Sequence, residues 1–443
     1  MKQRTFTGGI HPGYHKDYTA GKPIVPARPP SQVIISLHQN IGAPCDPVVK
    51  VGEEVKVGQR VGEPKGFISA PIFASISGRV TKIEPYNHPS GELLSAIFIE
   101  NDGQDTPVEG MKPYKPLEEL TPQEIRLIAR EAGLVGLGGA AFPTHVKLSP
   151  PPDIAIDTVI INGAECEPFL TADYRLMLER PGEIVYGLKA FMKAVGAIKG
   201  VIAIEDNKLD AVASMKEAVT ENSGEEDLEV HVLHTKYPQG AEKTLILATT
   251  GREVPPGALP MAVGVVIQNV GTAVAMAEAL KLGKPLYERV LTVTGPGIRE
   301  PANLLVRNGT LVKDIVEQCG GMTEGVRKLV LGGPMMGLAQ PTDDVPCIKG
   351  TSGILLLTDR FVRELPVGPC IKCGKCVKAC PMRLLPAFIA LASEKGNIDL
   401  AEKYGAMDCF ECGSCTYVCP ANRPLVQWIR LAKGAIAARR KSS

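Results

Sequence analysis

Long apolar runs are missing from this chain. No stretch approaches the ~18–20 apolar residues that a membrane-spanning helix needs, and runs such as 262–270 are only strand length. The opening MKQRTFTGGIHPGYHK lacks the apolar segment of an export signal. Aromatic residues make up 5% of the chain, with one tryptophan, which argues against a surface that stacks nucleic-acid bases. Net charge is only +1, so bulk charge points to neither nucleic acid nor a strongly acidic partner. The expectation is a soluble protein, or one peripheral to a membrane.

What is present is ordinary globular material, 443 residues of which 44% are hydrophobic. At roughly 100–200 residues per domain this suggests three domains or four small ones. The twelve cysteines are unevenly spread. Cys45, Cys166, Cys319 and Cys347 are scattered, which is no disulfide framework, and the cytoplasm is the expected compartment. The other eight form two runs, Cys370-x2-Cys373-x2-Cys376-x3-Cys380-Pro and Cys409-x2-Cys412-x2-Cys415-x3-Cys419-Pro. This is the bacterial two-cluster ferredoxin pattern, in which three thiolates wrap one [4Fe–4S] cubane and the fourth ligates the other. One cluster is therefore assigned Cys370, Cys373, Cys376 and Cys419, and the other Cys409, Cys412, Cys415 and Cys380. Gly374 and Gly413 permit close backbone approach. Structural zinc also takes four cysteines, but rarely at this spacing and hardly ever twice. The spacer 382–408 holds a helical pattern.

Residues 1–30 are rich in glycine and proline and read as an extended arm. Residues 31–115 alternate and turn often. VVKVGEEVKVGQRV followed by APIFASISGRV resembles a barrel-sandwich domain of the lipoyl type. Its hairpin turn, Ser75-Ile76-Ser77, has no lysine to modify, so a docking or packing role is expected. Thr121, Pro122 and Glu124 form a capping box for a helix ending near Gly133. Over 116–285, strands at 157–162, 201–204, 230–233 and 263–270 alternate with helices at 181–195, 209–219 and 272–282. That order implies a mainly parallel, Rossmann-like sheet. Residues 286–360 hold strands at 290–294, 328–331 and 353–357 and a helix near 311–318, a small β-grasp unit. Residues 361–443 carry the cluster runs and a basic tail. The tail's apolar residues recur at helical spacing; docking to a partner or membrane surface and a solvated helix end are both open.

Four loops look chemical. Gly136-Leu-Gly138-Gly139 follows a helix, so it fails as a dinucleotide fingerprint, which must follow a strand. With Lys147 downstream it can still cradle a phosphate; a merely tight turn is the other reading. Asn162-Gly-Ala-Glu165-Cys166-Glu167-Pro168 lies at a strand's carboxyl end, where open α/β sheets bind ligands. Its carboxylates suit ribityl or ribose hydroxyls, or are simply solvated, and Cys166 reads as packing. Tyr237-Pro-Gln-Gly240-Ala-Glu242 and Gln268-Asn269-Val-Gly-Thr272 also follow strands.

The order GLGGAAFPTHVKL, NGAECEP, YPQGAEKT, QNVGT and two C-x2-C-x2-C-x3-CP runs resembles the C subunit of the Rnf electron-transport complex over essentially the whole chain. It is more distantly similar to the FMN- and NADH-binding subunit of respiratory complex I. A related sodium-pumping quinone reductase subunit lacks the ferredoxin runs. The resemblance implies an α/β multidomain chain: barrel-sandwich domain, Rossmann-like FMN/NADH domain, SLBB β-grasp domain and α-helical ferredoxin domain. It implies that Gly136, Gly138, Gly139 and Lys147 approach FMN, with Phe142 beside the nicotinamide nucleotide. Asn162 and Glu165 would hold FMN, Glu167 and Glu242 face NAD, Tyr237 and Gly240 line the flavin, and Asn269 and Thr272 close the phosphate end. No catalytic side chain is assigned. Leu137, Ala164 and Ala241 depart from the complex I pattern, where arginine, aspartate and glutamate stand. The implied activity is NAD-dependent ferredoxin:NAD+ oxidoreduction. Its electrons pass between NAD(H), FMN and two [4Fe–4S] clusters, coupled to Na+ or H+ translocation by other subunits, on the cytoplasmic side of the membrane. Two alternatives remain open: a non-catalytic electron wire or scaffold without nucleotide, and a soluble dehydrogenase subunit with a non-membrane partner.

Overall fold

The structure is a computed structural model that describes residues 4–222, 224, 226–362 and 365–442. Nearest the N-terminus lies a β unit of two sheets. One pairs Gln32–Ser36, Leu93–Asn101, Gly78–Asn87 and Glu54–Val55, the other Cys45–Pro47, Arg60–Pro64 and Ile72–Phe73. Alternate residues such as Val33, Ile35, Ile97 and Ile99 point into a shared core, as a period of two requires. The hairpin tip is buried: Ser75 Oγ donates to Asn308 O at 2.5 Å and Ser77 Oγ to Asp102 at 2.7 Å. The tip therefore packs against the β-grasp sheet.

Next comes helix Pro122–Glu131. Thr121 Oγ1 accepts from the Glu124 amide and the Glu124 carboxylate accepts from the Thr121 amide, a reciprocal cap. The central sheet is parallel, in the order Asp227–Leu233, Lys199–Glu205, Thr158–Gly163, Val265–Asn269. Chain order thus reverses between Thr158–Gly163 and Val265–Asn269, and a reversal of this kind opens a ligand crevice at the strands' carboxyl ends. Helices Pro181–Val195 and Val270–Leu282 cover one face, burying Ile184, Leu188 and Phe191. They cross at Gly187: a Cβ there would lie 2.2 Å from Ala273 O.

The β-grasp part is a six-stranded sheet in the order Ile24–Pro26, Ala302–Arg307, Glu288–Thr294, Gly353–Thr358, Val326–Leu331, Leu338–Gln340. Its first strand comes from the N-terminal arm and pairs in parallel with Ala302–Arg307. The same arm bridges to the central sheet through Arg4 with Leu233 and Ile10 with Tyr237, and the Gly9 amide donates to Ala379 O in the cysteine-rich part. Lys349, 1% exposed, donates to Pro71 O at 2.7 Å and Gly133 O at 2.8 Å, pinning three units at one point.

The C-terminal part is helical, with Lys375–Ala379, Pro386–Glu394, Ile398–Lys403, Ser414–Tyr417 and Leu425–Ser442. In the last of these, Ile429, Ala432 and Ile436 pack on Ile389 and Ala401. Arg439 pairs with Asp399 at 2.5 Å and Arg440 with Glu402 at 2.6 Å, so the tail lies on its own domain. Among the described residues no helix is long and apolar enough to cross a membrane.

Replacing a helix-interior glycine by alanine ordinarily gains about 0.5–1 kcal/mol. At Gly187→Ala the sign should invert, because overpacking against backbone costs about 1–3 kcal/mol. A lowered unfolding midpoint by differential scanning calorimetry is expected; a raised one would mean that the two helices separate freely.

Candidate cofactor sites

The four candidate loops converge at the carboxyl edge of the parallel sheet. Asn162 and Asn269 are register neighbours on the two strands that flank the reversal. Asn162 Nδ2 donates to Gly240 O at 2.8 Å and its Oδ1 accepts from the Ala164 amide at 3.2 Å. Asn269 Oδ1 accepts from the Gly271 amide at 2.8 Å, capping helix Val270–Leu282, while its Nδ2 donates to Asp173 at 2.7 Å. A Cβ on Gly138 would stand 3.5 Å from Asn269 Nδ2, so the glycine loop lies over the strand end. Gly138 and Gly139 are exposed, and Gly139 has a φ of +119°, which glycine adopts without strain.

The glycine loop is fixed from beneath. The Leu137 amide donates to Thr272 Oγ1 at 2.9 Å, and Leu137 O accepts from Arg289 Nη2 at 3.1 Å. Arg289 comes from the β-grasp sheet and is 5% exposed. Burial lowers its pKa to about 10 despite the nearby Asp173 carboxylate. Gly136 is tied to the Phe142 carbonyl at 2.9 Å. Lys147 ion-pairs with Glu242 and donates to Ile267 O at 3.3 Å, so these two side chains meet across the crevice mouth.

Three expected ligand-facing side chains sit differently. Glu165 accepts from the Asp173 and Tyr174 amides at 2.8 and 3.1 Å, at the start of helix Ala172–Glu179. Glu167 accepts from the Met335 and Met336 amides at 3.0 and 2.9 Å, and burial raises its pKa to about 7. Orphan amides have captured both carboxylates. Tyr237, 1% exposed, donates its hydroxyl to Cys412 O at 2.7 Å, so it faces the cysteine-rich domain. Two lysines that no motif singles out organise this region. Lys16 donates to the carbonyls of Glu165, Glu167 and Leu170, and Lys208 to that of Ala164. Lys16 adjoins Asp17 and Lys208 stands among Glu205, Asp206 and Asp210 in the chain, and nothing in those neighbours signals the role.

A nucleotide fits the polar groups left over. Seven described residues carry a buried side-chain N or O without a hydrogen-bond partner, and four of them, Thr144, His145, Gln239 and Gln268, lie on these loop segments. An unmet buried polar group costs about 1–3 kcal/mol, so their concentration beside Lys147, Gly240 and Asn269 suits a polar ligand.

The cysteine runs share one backbone form. Lys372 and Glu411, Gly374 and Gly413, and Arg383 and Asn422 hold matching positions and all have positive φ. The turns aim amides at sulfur, for example Ala387 at Cys376, Met382 at Cys380 and Thr416 at Cys415. Cys409, Cys412 and Cys415 of the second run and Cys380 of the first line one chamber, with Leu384 and Ile429 also in its wall. Burial and the neighbouring sulfurs push the Cys409 thiol up to about 11, so the metal-free side chain is protonated. Cys376 and Cys419 pack together against Leu425 and Val426, and Cys370 and Cys373 are exposed. The donor set, two groups of free cysteine sulfurs, suits multi-iron clusters.

Comparison with known proteins agrees with this order of parts. Family models match as follows: the RnfC barrel sandwich hybrid domain at residues 4–104, the Nuo51 FMN-binding domain at 129–278, the SLBB domain at 290–339, and the 4Fe-4S dicluster domain at 369–423. The chain is 51% identical to the C subunit of the Na(+)-translocating ferredoxin:NAD(+) oxidoreductase complex of Acetobacterium woodii, covering 100% of this chain and 99% of that one. It is 50% identical to the proton-translocating counterpart of Clostridium ljungdahlii, over 97% and 93%. It is 42% identical to the C subunit of the ion-translocating oxidoreductase complex of Rhodobacter capsulatus, over 99% and 84%.

The chamber geometry predicts that Cys380→Ser and Cys415→Ser perturb the same cluster. Electron paramagnetic resonance of the reduced protein should show one common altered signal, distinct from that of Cys376→Ser. A Cys380→Ser spectrum matching Cys376→Ser would refute the crossed arrangement.

Proposed function

Because this chain belongs to the C-subunit family of ion-translocating ferredoxin:NAD+ oxidoreductase complexes, we propose that it exchanges electrons directly with NAD(H) within such a complex. In this reading FMN sits in the crevice at the carboxyl ends of Thr158–Gly163 and Val265–Asn269. The single observation that carries it is the convergence there of the glycine loop, Asn162, Gly240 and Asn269 with unpartnered buried amides. Flavin, when bound, supplies the conversion between a hydride's two electrons and single-electron steps.

The chain's own residues do the positioning. Gly136, Gly138 and Gly139 let backbone amides approach a phosphate, and Asn269 and Thr272 hold that loop against the helix start. Lys147 supplies the positive charge and exchanges its Glu242 partner for the ligand, which frees Glu242 to accept from a ribose hydroxyl. Phe142 walls the nicotinamide side. Cys409, Cys412, Cys415 and Cys380 hold the cluster nearer the crevice, and Cys370, Cys373, Cys376 and Cys419 the other. Glu165, Glu167 and Tyr237 serve as joints between domains. The domain division taken here is an arm at 1–30, then 31–115, 116–285, 286–360 and 361–443. The protein lies peripherally on the cytoplasmic side of the membrane. The departures at Leu137, Ala164 and Ala241 do not favour a nucleotide-free wire. Leu137 and Ala164 are buried, and Leu137 holds its loop through backbone bonds to Thr272 and Arg289.

The test is an anaerobic reconstitution with iron, sulfide and FMN, removal of free flavin, and a titration with NADH followed in the visible spectrum. Bleaching of bound flavin and then of the clusters is expected. Loaded clusters with no retained flavin would sink the reading and favour the wire. Lys147→Ala should retain about ten-fold less flavin with cluster absorbance unchanged.

A further inference from the structure

The two cluster sites are unequal in their surroundings. The chamber lined by Cys380, Cys409, Cys412 and Cys415 faces inward. Cys412 and Cys415 are buried, and Cys412 shares an apolar cluster with Cys166, Tyr237 and Ala379. A Cβ on Gly413 would lie 3.1 Å from Met335 O, so the β-grasp sheet closes this side. The other run opens outward, with Cys370 and Cys373 exposed. Electron tunnelling falls steeply with distance, so the site with exposed ligands is the better placed to serve a second protein.

The surface around that outer site has a distinct charge. From 365 to 388 the chain carries four bases, Lys372, Lys375, Lys378 and Arg383, and no acid. All four are exposed and, among the described residues, make no ion pair. The second run is neutralised internally instead: Glu411 pairs with Arg430 at 2.7 Å and with Lys433 at 2.6 Å. In a chain of net charge +1, the first run is a local cationic excess. Apolar side chains stand among these bases, with Val367 61% exposed, Ile371 65% and Phe388 53%. Phe388 lies in the first turn of helix Pro386–Glu394, edge-on to Tyr404 with ring centroids 5.8 Å apart.

We propose that this face is the electron-exchange port of the chain, and that its occupant is an acidic domain of another subunit of the same complex bearing a one-electron centre. The proposal rests on the electron-carrier reading above. One electron crosses per event; one centre is oxidised by one and the other reduced by one, and no bond or proton moves. Charge complementarity selects an acidic partner and steers its approach. The exposed apolar residues select a resident subunit over a passing carrier, because durable interfaces are the more apolar.

The test uses the full chain loaded with FMN and clusters, added to membranes that hold the other subunits but lack this one. The double variant Lys375→Glu/Lys378→Glu should rebind those membranes about ten-fold more weakly at ~0.1 M salt, where screening is moderate. Ferredoxin-driven NAD+ reduction should fall in parallel. Leu391→Ser, on the exposed apolar side of the same helix, should weaken rebinding without changing its salt dependence. NADH reduction of flavin and clusters in the isolated chain is the control. If it fails in wild type too, the electron-carrier reading falls, while rebinding still reports on the port. Unchanged rebinding and turnover in the double variant would overturn the proposal. So would normal rebinding with loss only of reduction by soluble ferredoxin, since the occupant would then be that carrier.

Discussion

Four backbone carbonyls in one loop, those of Ala164, Glu165, Glu167 and Leu170, receive their hydrogen bonds from two lysine side chains. Left unmet they would cost about 1–3 kcal/mol each, and no strand or helix partner is available to them. Lys16 brings the N-terminal arm to the loop and Lys208 the edge of the central sheet. With its backbone fixed, the loop offers its side chains outward. Glu165 starts one helix, Glu167 grips the turn at Met335 and Met336, and the Cys166 sulfur accepts from the Gly240 amide at 3.2 Å. Arm, nucleotide sheet, β-grasp sheet and ferredoxin domain are all joined through this segment.

The same segment sets the electrical character of the space between crevice and inner chamber. Burial pushes the Cys166 thiol and the Tyr237 phenol far above their ordinary values, so both stay neutral. Burial also draws the Glu167 carboxyl, and that of Asp173 beside Asn269, up to about 7. Buried neutral groups thus stand beside the inner chamber, while the exposed Lys372 and Lys375 stand between the outer ligands in the chain. The domain has an insulated inner end and a charged outer end.

Much of this was legible in the residues. The parallel sheet, the capping box at Thr121 and the helix over 181–195 follow from periodicity and local chemistry, because burial and capping act within a few residues. The cysteine runs are equally plain, since ligand spacing is a local property. The convergence of the glycine, Asn162, Gly240 and Asn269 loops was readable as four loops at one sheet edge, three of them strand ends. What was not legible depends on distant partners. Glu165 and Glu167 look like sugar-binding carboxylates until the amides of 173–174 and 335–336 arrive beside them. Tyr237 looks like a flavin wall until Cys412 is in place. Lys16, Arg289 and Lys349 carry no local signal, because each acts on backbone contributed by another domain. The arm's strand, Ile24–Pro26, has no alternation to reveal it and exists only because Ala302–Arg307 presents an open edge.

That arm also has a consequence in time. It is made before every part it binds: Leu233 and Tyr237, then Ala302–Arg307, then Ala379. At ~5–20 residues per second, the segment carrying Gly8 and Lys16 waits on the order of tens of seconds before the ferredoxin part emerges. A Cβ on Gly8 would lie 2.7 Å from Cys380 O, so the arm's final seat touches a cluster ligand. The arm is therefore a latch that closes over a domain made long after it, seated on the backbone of Ala379 and Cys380.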